Sequence, residues 1–225
     1  MKSPMKARQH EGMRKKLAIL SAVALLPVLS AQANVIPSDD QQVRILIAKV
    51  ASTGDINTMS QMLAEGLDIN LLDANGQPAL VTAILSGQDD MALLLLDHHA
   101  DVFARTQKGM TALHAAAYVG DAPIARTLIA AGADVNDQAN IAGITPLHAA
   151  AEEDHLAVVK QLITAGADPK RVEVNGYTAG SRAGWREHWE IVSFLLHSGD
   201  TCQPVELAGA WLYDKCTHID VTASN

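Results

Sequence analysis

Apolar and polar residues alternate with helical spacing through the middle of the chain. After Asp121, the apolar residues Ile124, Leu128 and Ile129 lie at positions i, i+4 and i+5, the pattern of an amphipathic helix. Just before it, residues 112–117 are alanines with one leucine and one histidine, and Gly120 follows. A glycine at this position favours the end of a helix. We therefore predict two short helices, joined by a tight turn, between about residues 112 and 131.

This pattern recurs along the chain with a nearly fixed period. Four turn glycines are separated by 33, 34 and 33 residues: Gly76, Gly109, Gly143 and Gly176. An aspartate lies several residues before each of these glycines, and the aspartates recur with a similar period: Asp68, Asp101, Asp134 and Asp168. A period in this range predicts a stack of helix-pair units instead of one globular core.

The phrases Gly-Met-Thr-Ala-Leu-His at 109–114 and Gly-Ile-Thr-Pro-Leu-His at 143–148 resemble the ankyrin repeat. The resemblance implies an all-α ankyrin-repeat solenoid of about five helix-pair repeats with β-turn fingers, spanning residues 41–200. The expected units are an N-terminal cap at about 41–67, then 68–100, 101–133, 134–167 and 168–200. The flanking units depart from the pattern: Val81 replaces the histidine, and Gly180-Ser181 replaces Leu-His. Terminal repeats are expected to be atypical because one face meets water.

The N-terminus has the composition of a secretory signal peptide. Lys15 and Lys16 precede an apolar run at 17–29, and small residues follow up to Ala33. We predict a signal peptide at 1–33, a linker at 34–40 and a periplasmic location, with Met1 and Met13 both open as translation starts. The alternative is a membrane anchor. However, a run of this length is shorter than the roughly 20 residues needed to span a bilayer.

Removal of residues 1–33 would make the protein strongly acidic. The whole chain has 17 Lys or Arg and 25 Asp or Glu, and residues 1–33 hold six of the basic residues but only one acid, Glu11. The remaining chain would therefore have 11 basic and 24 acidic residues, a net charge of −13. Such a surface repels phosphate backbones, which argues against a nucleic-acid partner and favours a basic protein.

Two cysteines, Cys202 and Cys216, lie in the tail at 201–225, after the last repeat. In an oxidising compartment an isolated pair of this kind predicts a disulfide. A metal or redox pair is the alternative, but the spacing matches neither CxxC nor a four-ligand zinc pattern. Apolar residues with helical spacing between the cysteines predict a short helix that caps the end of the stack.

The histidines suggest an alternative function, metal or haem binding. His114 and His148 occupy equivalent positions, and the resemblance to ankyrin repeats implies that they hydrogen-bond backbone across repeat junctions. His155, His188 and His197 are the candidate ligands of the alternative, although a solvated helix start is the simpler interpretation of the first two. The sequence has no Ser-His-Asp arrangement, phosphate loop or paired-carboxylate cleft, so we expect neither an enzyme nor a cofactor.

The ankyrin register also implies which residues face the concave groove. These are the residue after each turn glycine and the two residues that end each first helix. They are Gln77, Leu85, Ser86, Met110, Tyr118, Val119, Ile144, Glu152, Glu153, Tyr177, Trp185 and Arg186. Exposed apolar residues gathered on one surface indicate a contact site. For Trp185, contact with a partner and coverage of the stack's end are both open, whereas Trp189 is expected to cover the end.

These observations predict an exported, monomeric, non-enzymatic module that binds a basic protein through its concave face. Two roles are compatible with the resemblance to small periplasmic ankyrin proteins. One is an accessory to a catalase in protection against peroxide. The other is an immunity-type inhibitor of a toxin delivered into the periplasm.

Overall fold

In a computed structural model that describes residues 39–219, every regular element is a helix, which confirms the predicted all-α class. Ten of the helices within this range form five successive pairs. The first helices are α1 (Asp40–Thr53), α3 (Ala79–Leu85), α5 (Ala112–Val119), α7 (Pro146–Glu152) and α9 (Ala179–Trp185). The second helices are α2 (Ile56–Ala64), α4 (Asp89–Asp97), α6 (Ala122–Ala130), α8 (Leu156–Thr164) and α10 (Trp189–His197). The predicted signal peptide and residues 34–38 of the predicted linker lie outside the described residues.

The pairs stack because equivalent positions carry matching core side chains. Successive first helices pack against one another, and so do successive second helices. One fully buried side chain recurs in every second helix: Met62, Leu95, Leu128, Leu162 and Leu195. An equivalent position in four of the first helices is a fully buried alanine: Ala83, Ala116, Ala150 and Ala183. Small residues in the first helices let the backbones approach closely, and the larger side chains of the second helices fill the layer between them.

Finger-like turns connect the pairs and pair with each other through backbone hydrogen bonds. Within one finger, the amide of Thr106 donates to the carbonyl of Met110 at 2.9 Å. Between fingers, the amide of Ile141 donates to the carbonyl of Lys108 at 3.1 Å, and the amide of Val174 donates to Ala142 at 3.2 Å. The fingers are therefore held at a fixed register beside the first helices.

The C-terminal end of the stack is closed by a short helix pair. Helices α11 (Val205–Ala208) and α12 (Ala210–Thr217) follow the fifth pair, and α12 packs against α9. Cys202 and Cys216 form the predicted disulfide, which ties the start of this segment to the last helix. We call residues 201–219 the C-terminal cap.

Candidate functional site: a groove along the first helices

Buried histidines fix the relation between neighbouring repeats. His148 Nε2 donates to the carbonyl of Tyr177 at 3.0 Å, and its Nδ1 lies 2.8 Å from the hydroxyl of Thr145. His114 makes the same bonds one repeat earlier, to Ile144 and Thr111. A carbonyl can only accept, so each ring carries its proton on Nε2. Burial lowers the pKa of His114 and lowers that of His148 to about 4. The predicted bond across the junction is confirmed for both histidines.

A second set of histidines bridges the repeats where the first helices end. His155 Nε2 donates to the carbonyl of Tyr118, and His188 Nε2 donates to Glu152, each at 3.0 Å. Both residues stand at helix starts, as expected, and their rings are partly exposed to solvent. The bonds across the junction were not expected from the sequence. His197 bonds to Ser193 within its own helix. Among residues 39–219 no group of three His, Cys, Asp or Glu side chains could hold a metal, so the geometry does not favour the metal or haem alternative.

Finger residues and first-helix ends enclose an apolar cleft between the second and third pairs. The cleft has a volume of about 320 Å³ and is lined by four predicted groove residues, Gln77, Leu85, Met110 and Tyr118. Leu85 is 45% exposed and Tyr118 is 53% exposed. Lys108 on the neighbouring finger adds one positive charge at the rim. The cleft can accept an apolar side chain of a binding partner.

A second cleft, of about 280 Å³, lies between the fourth and fifth pairs. Its lining includes four other predicted groove residues, Glu152, Tyr177, Trp185 and Arg186. The rings of Tyr177 and Trp185 lie 5.4 Å apart in a tilted arrangement, and Trp185 is 56% exposed. We call the surface formed by the two clefts the inner groove.

Glu152 is less available to a partner than its sequence position suggested. One oxygen accepts from Arg182 Nε at 2.8 Å and the other accepts from Arg186 Nη2 at 3.0 Å. The pairing with Glu152 raises the pKa of Arg186. The carboxylate therefore positions two guanidinium groups along the cleft, and its negative charge is already compensated.

The other predicted contact residues lie outside the two clefts. Neither cleft is lined by Ser86, Val119, Ile144 or Glu153. The carbonyl of Ile144 accepts the bond from His114. Arg182 is not among the predicted groove residues, because the ankyrin register implies only the two residues that end each first helix and the residue after each turn glycine. Its position one turn before Arg186, the residue that caps the C-terminus of α9, is the signal that could have identified it.

A stack of helix pairs with hydrogen-bonded fingers and a side-chain-lined groove defines a repeat solenoid that offers one face for binding. The chain belongs to the ankyrin-repeat family. A sequence model of that family, ankyrin repeats in three copies, matches residues 45–139 and 136–204.

Similar proteins share only part of their length with this chain. An ankyrin repeat-containing protein of Treponema pallidum (strain Nichols) is 38% identical over 84 residues, which cover 37% of this chain and 28% of the relative. The B-cell lymphoma 3 protein homolog of Mus musculus is 37% identical over 37% of this chain and 19% of its own. Protein phosphatase 1 regulatory subunit 27 of Mus musculus is 36% identical over 40% of this chain and 58% of its own.

Between residues 39 and 219, no helix has both the length and the apolar character needed to cross a membrane.

Proposed function

We propose that this protein is a non-catalytic module that binds another protein through the inner groove. The observation that carries the proposal is a row of exposed side chains at equivalent positions, Leu85, Tyr118 and Trp185, each about half exposed. The fold does not require apolar residues at these positions, because the equivalent position of the fourth pair is Glu152. Tyrosine and tryptophan are favoured anchors in protein interfaces.

A basic protein surface is the partner that fits the charge. Residues 39–219 carry 23 Asp or Glu and 11 Lys or Arg. This excess steers a positively charged partner toward the protein and opposes association with nucleic acid. The ankyrin relatives support a binding role in a general way, since one of them is by name a regulatory subunit of a phosphatase.

We further propose that the protein acts as a monomer after export to the periplasm. The signal-like N-terminal sequence and the disulfide support export, because disulfides persist in oxidising compartments. Within that compartment, accessory action on a catalase and inhibition of a delivered toxin are two hypotheses, and identifying the bound protein would decide between them.

The proposal can be tested with the exported protein carrying a C-terminal tag. A protein captured from periplasmic extract is identified and purified, and its Kd is measured for the wild type and for the double variant Tyr118→Ala, Trp185→Ala. Loss of two anchors should raise Kd by about 30-fold or more, with little change in thermal midpoint, because both side chains are half exposed.

Phe103→Ala is the matched control, since Phe103 is an exposed aromatic residue that lines neither cleft. It should leave Kd unchanged. If the double variant binds as tightly as the wild type, the inner groove is not the binding surface.

A further inference from the structure

The inner groove continues past the last repeat onto the C-terminal cap. Trp185 also borders another cleft of about 250 Å³, whose remaining lining comes entirely from the cap: Ala208, Gly209, Ala210, Trp211 and Leu212. Trp185 is thus shared between the cleft of the fifth repeat and the cleft of the cap. We call the latter the cap cleft.

The outer surface of the cap is more apolar than the surface of a unit that only closes the end of the stack. The terminal units of a repeat stack normally turn polar side chains toward water. Here Trp211 is 52% exposed, and Tyr213 and Val205 are also exposed. The position of Trp211 is nevertheless fixed by its surroundings. The centroids of the Trp211 and Trp189 rings lie 5.7 Å apart in an edge-on arrangement, and the neighbouring Leu212 is buried against α9. An ordered, exposed tryptophan beside a cleft is the usual form of an interface anchor.

The chemistry of the cap cleft favours a long basic side chain. No charged residue lines the cleft, so its walls suit an apolar body such as the methylene stem of arginine or lysine. The faces of two tryptophans can also attract a guanidinium or ammonium group. The cap helices carry two exposed acids, Glu206 and Asp214, and one exposed base, Lys215. Residues 39–219 as a whole have 23 Asp or Glu and 11 Lys or Arg. These charges complement a basic segment and disfavour an acidic one.

We propose that the C-terminal cap is the second half of the binding site. In this arrangement the cleft between Trp185 and Trp211 receives an arginine- or lysine-bearing segment of the protein partner. The Cys202–Cys216 disulfide holds Trp211 in place. A dithiol reductant that exchanges with this disulfide leaves two free cysteine thiols, is itself oxidised to a disulfide, and thereby releases the segment. This inference rests on the proposed function of the inner groove and adds the partner's chemistry and a dependence on redox state.

Tryptophan fluorescence offers a direct test, because all three tryptophans of the chain (Trp185, Trp189 and Trp211) belong to this end of the molecule. The probe is an acetylated peptide of about eight residues that alternates arginine and leucine, long enough to cross the cleft at roughly 3.3 Å per residue. A peptide of the same length with glutamate in place of arginine is the charge control. The oxidised wild type should bind the arginine peptide with a saturable change in emission.

Three variants examine the cap cleft in different ways. Trp211→Ala removes the anchor. Ala210→Arg fills the cleft with a like charge while leaving the packing of Trp211 and Leu212 intact, since Ala210 is exposed at the start of α12. The double change Cys202→Ser, Cys216→Ser removes the disulfide. Each should raise the Kd of the arginine peptide at least tenfold, whereas Phe103→Ala should leave it unchanged.

Two results would overturn the inference: equal or tighter binding of the glutamate peptide, or an unchanged Kd in Ala210→Arg. Binding of the purified partner protein to the same variants distinguishes a failure of this inference from a failure of the proposed function. If the partner is lost with Tyr118→Ala, Trp185→Ala but retained by Ala210→Arg, the cap is only a cover and the groove still binds. If the partner is retained by all of these variants, both proposals fail.

Discussion

Gly184 and Leu212 occupy complementary positions at the junction between the last repeat and the C-terminal cap. A Cβ atom at Gly184 would lie 2.4 Å from Cδ1 of Leu212, closer than real contacts allow. The equivalent residues of the two preceding repeats, Ala117 and Ala151, are fully buried alanines. The fifth repeat therefore lacks one methyl group at the position where the cap inserts a leucine.

Gly184→Ala should loosen the cap. The added methyl group forces Leu212 out of its buried position, and overpacking of this kind costs about 1–3 kcal/mol in the free energy of unfolding. Urea denaturation of the oxidised protein measures this cost. Adding Leu212→Ala relieves the clash, so the double variant should lose less stability than the sum of the two single changes. Strict additivity would show that the two residues do not compete for this space.

The repeat period was sufficient to predict the helix pairs, because each core position reappears after 33 or 34 residues with a similar side chain. The period could not predict the role of Gly180-Ser181, which we interpreted only as a departure of a terminal unit from the repeat pattern. A Cβ atom at Gly180 would lie 2.3 Å from the carboxylate of Asp200, and the Ser181 hydroxyl donates to Gln203 at 2.6 Å. These partners lie beyond the helices of the fifth pair, where the periodic pattern gives no information about contacts.

The positions of several residues that line the candidate site could be predicted from the sequence, but the charge pairing within the site could not. Leu85, Tyr118 and Trp185 line the clefts as the register implied. The sequence did not predict that the charge of Glu152 is compensated, because this depends on two arginines 30 and 34 residues later, and Arg182 lies outside the projected set. Side-chain pairing between repeats depends on rotamers that a one-dimensional pattern does not specify.

His99→Gly and Glu187→Gly should each stabilise the protein. Their φ angles are 63° and 64°, in the left-handed region, where other repeats have glycines such as Gly132 and Gly87. A side chain in this conformation costs roughly 1–2 kcal/mol, so each glycine should raise the free energy of unfolding by about 1 kcal/mol.

Urea midpoints of the two variants test this expectation. Gly132→His is the matched control, because it introduces the same strain at the position equivalent to His99 in the next repeat. It should lower the midpoint by a similar amount. A midpoint that falls in His99→Gly would mean that the histidine side chain makes compensating contacts.

Asp200→Asn should change how stability depends on pH. Burial raises the pKa of Asp200 from 3.8 to about 6, with a smaller contribution from Asp168, despite hydrogen bonds from Thr178 and Thr201. Between about pH 4 and 6 the folded state therefore holds a proton that the unfolded state releases. Stability contributed by this group is present at pH 4 and is lost as the pH rises through 6, by up to about 3 kcal/mol.

Urea unfolding of wild type and Asp200→Asn at pH 4 and pH 7.5 measures this effect. The free-energy difference between them should shift in favour of the variant by up to about 3 kcal/mol as the pH rises. Asp168→Asn provides the control, because that carboxylate is exposed and should reproduce only a small part of the change. A constant difference across this range would show that Asp200 is ionised in the folded protein already at pH 4.

His148→Val should reduce the loss of folding stability at acidic pH, which is opposite in direction to the pH dependence that Asp200 causes. Burial keeps His148 neutral in the folded protein down to about pH 4, whereas the unfolded chain takes up a proton near pH 6.5. Stability contributed by this residue is therefore present above pH 6.5 and is lost as the pH falls toward 4, by up to about 3 kcal/mol. Valine is a suitable replacement because Val81 fills the equivalent position, fully buried, in the second pair. The variant should be less stable at pH 8, since the bonds to Tyr177 and Thr145 are lost, but its stability should fall less steeply with acid.

Wild type and His148→Val should be compared in the Asp200→Asn background, which removes the opposing titration of Asp200. His98→Val is an exposed control. Parallel curves between pH 8 and 4 would mean that His148 is protonated in the folded state.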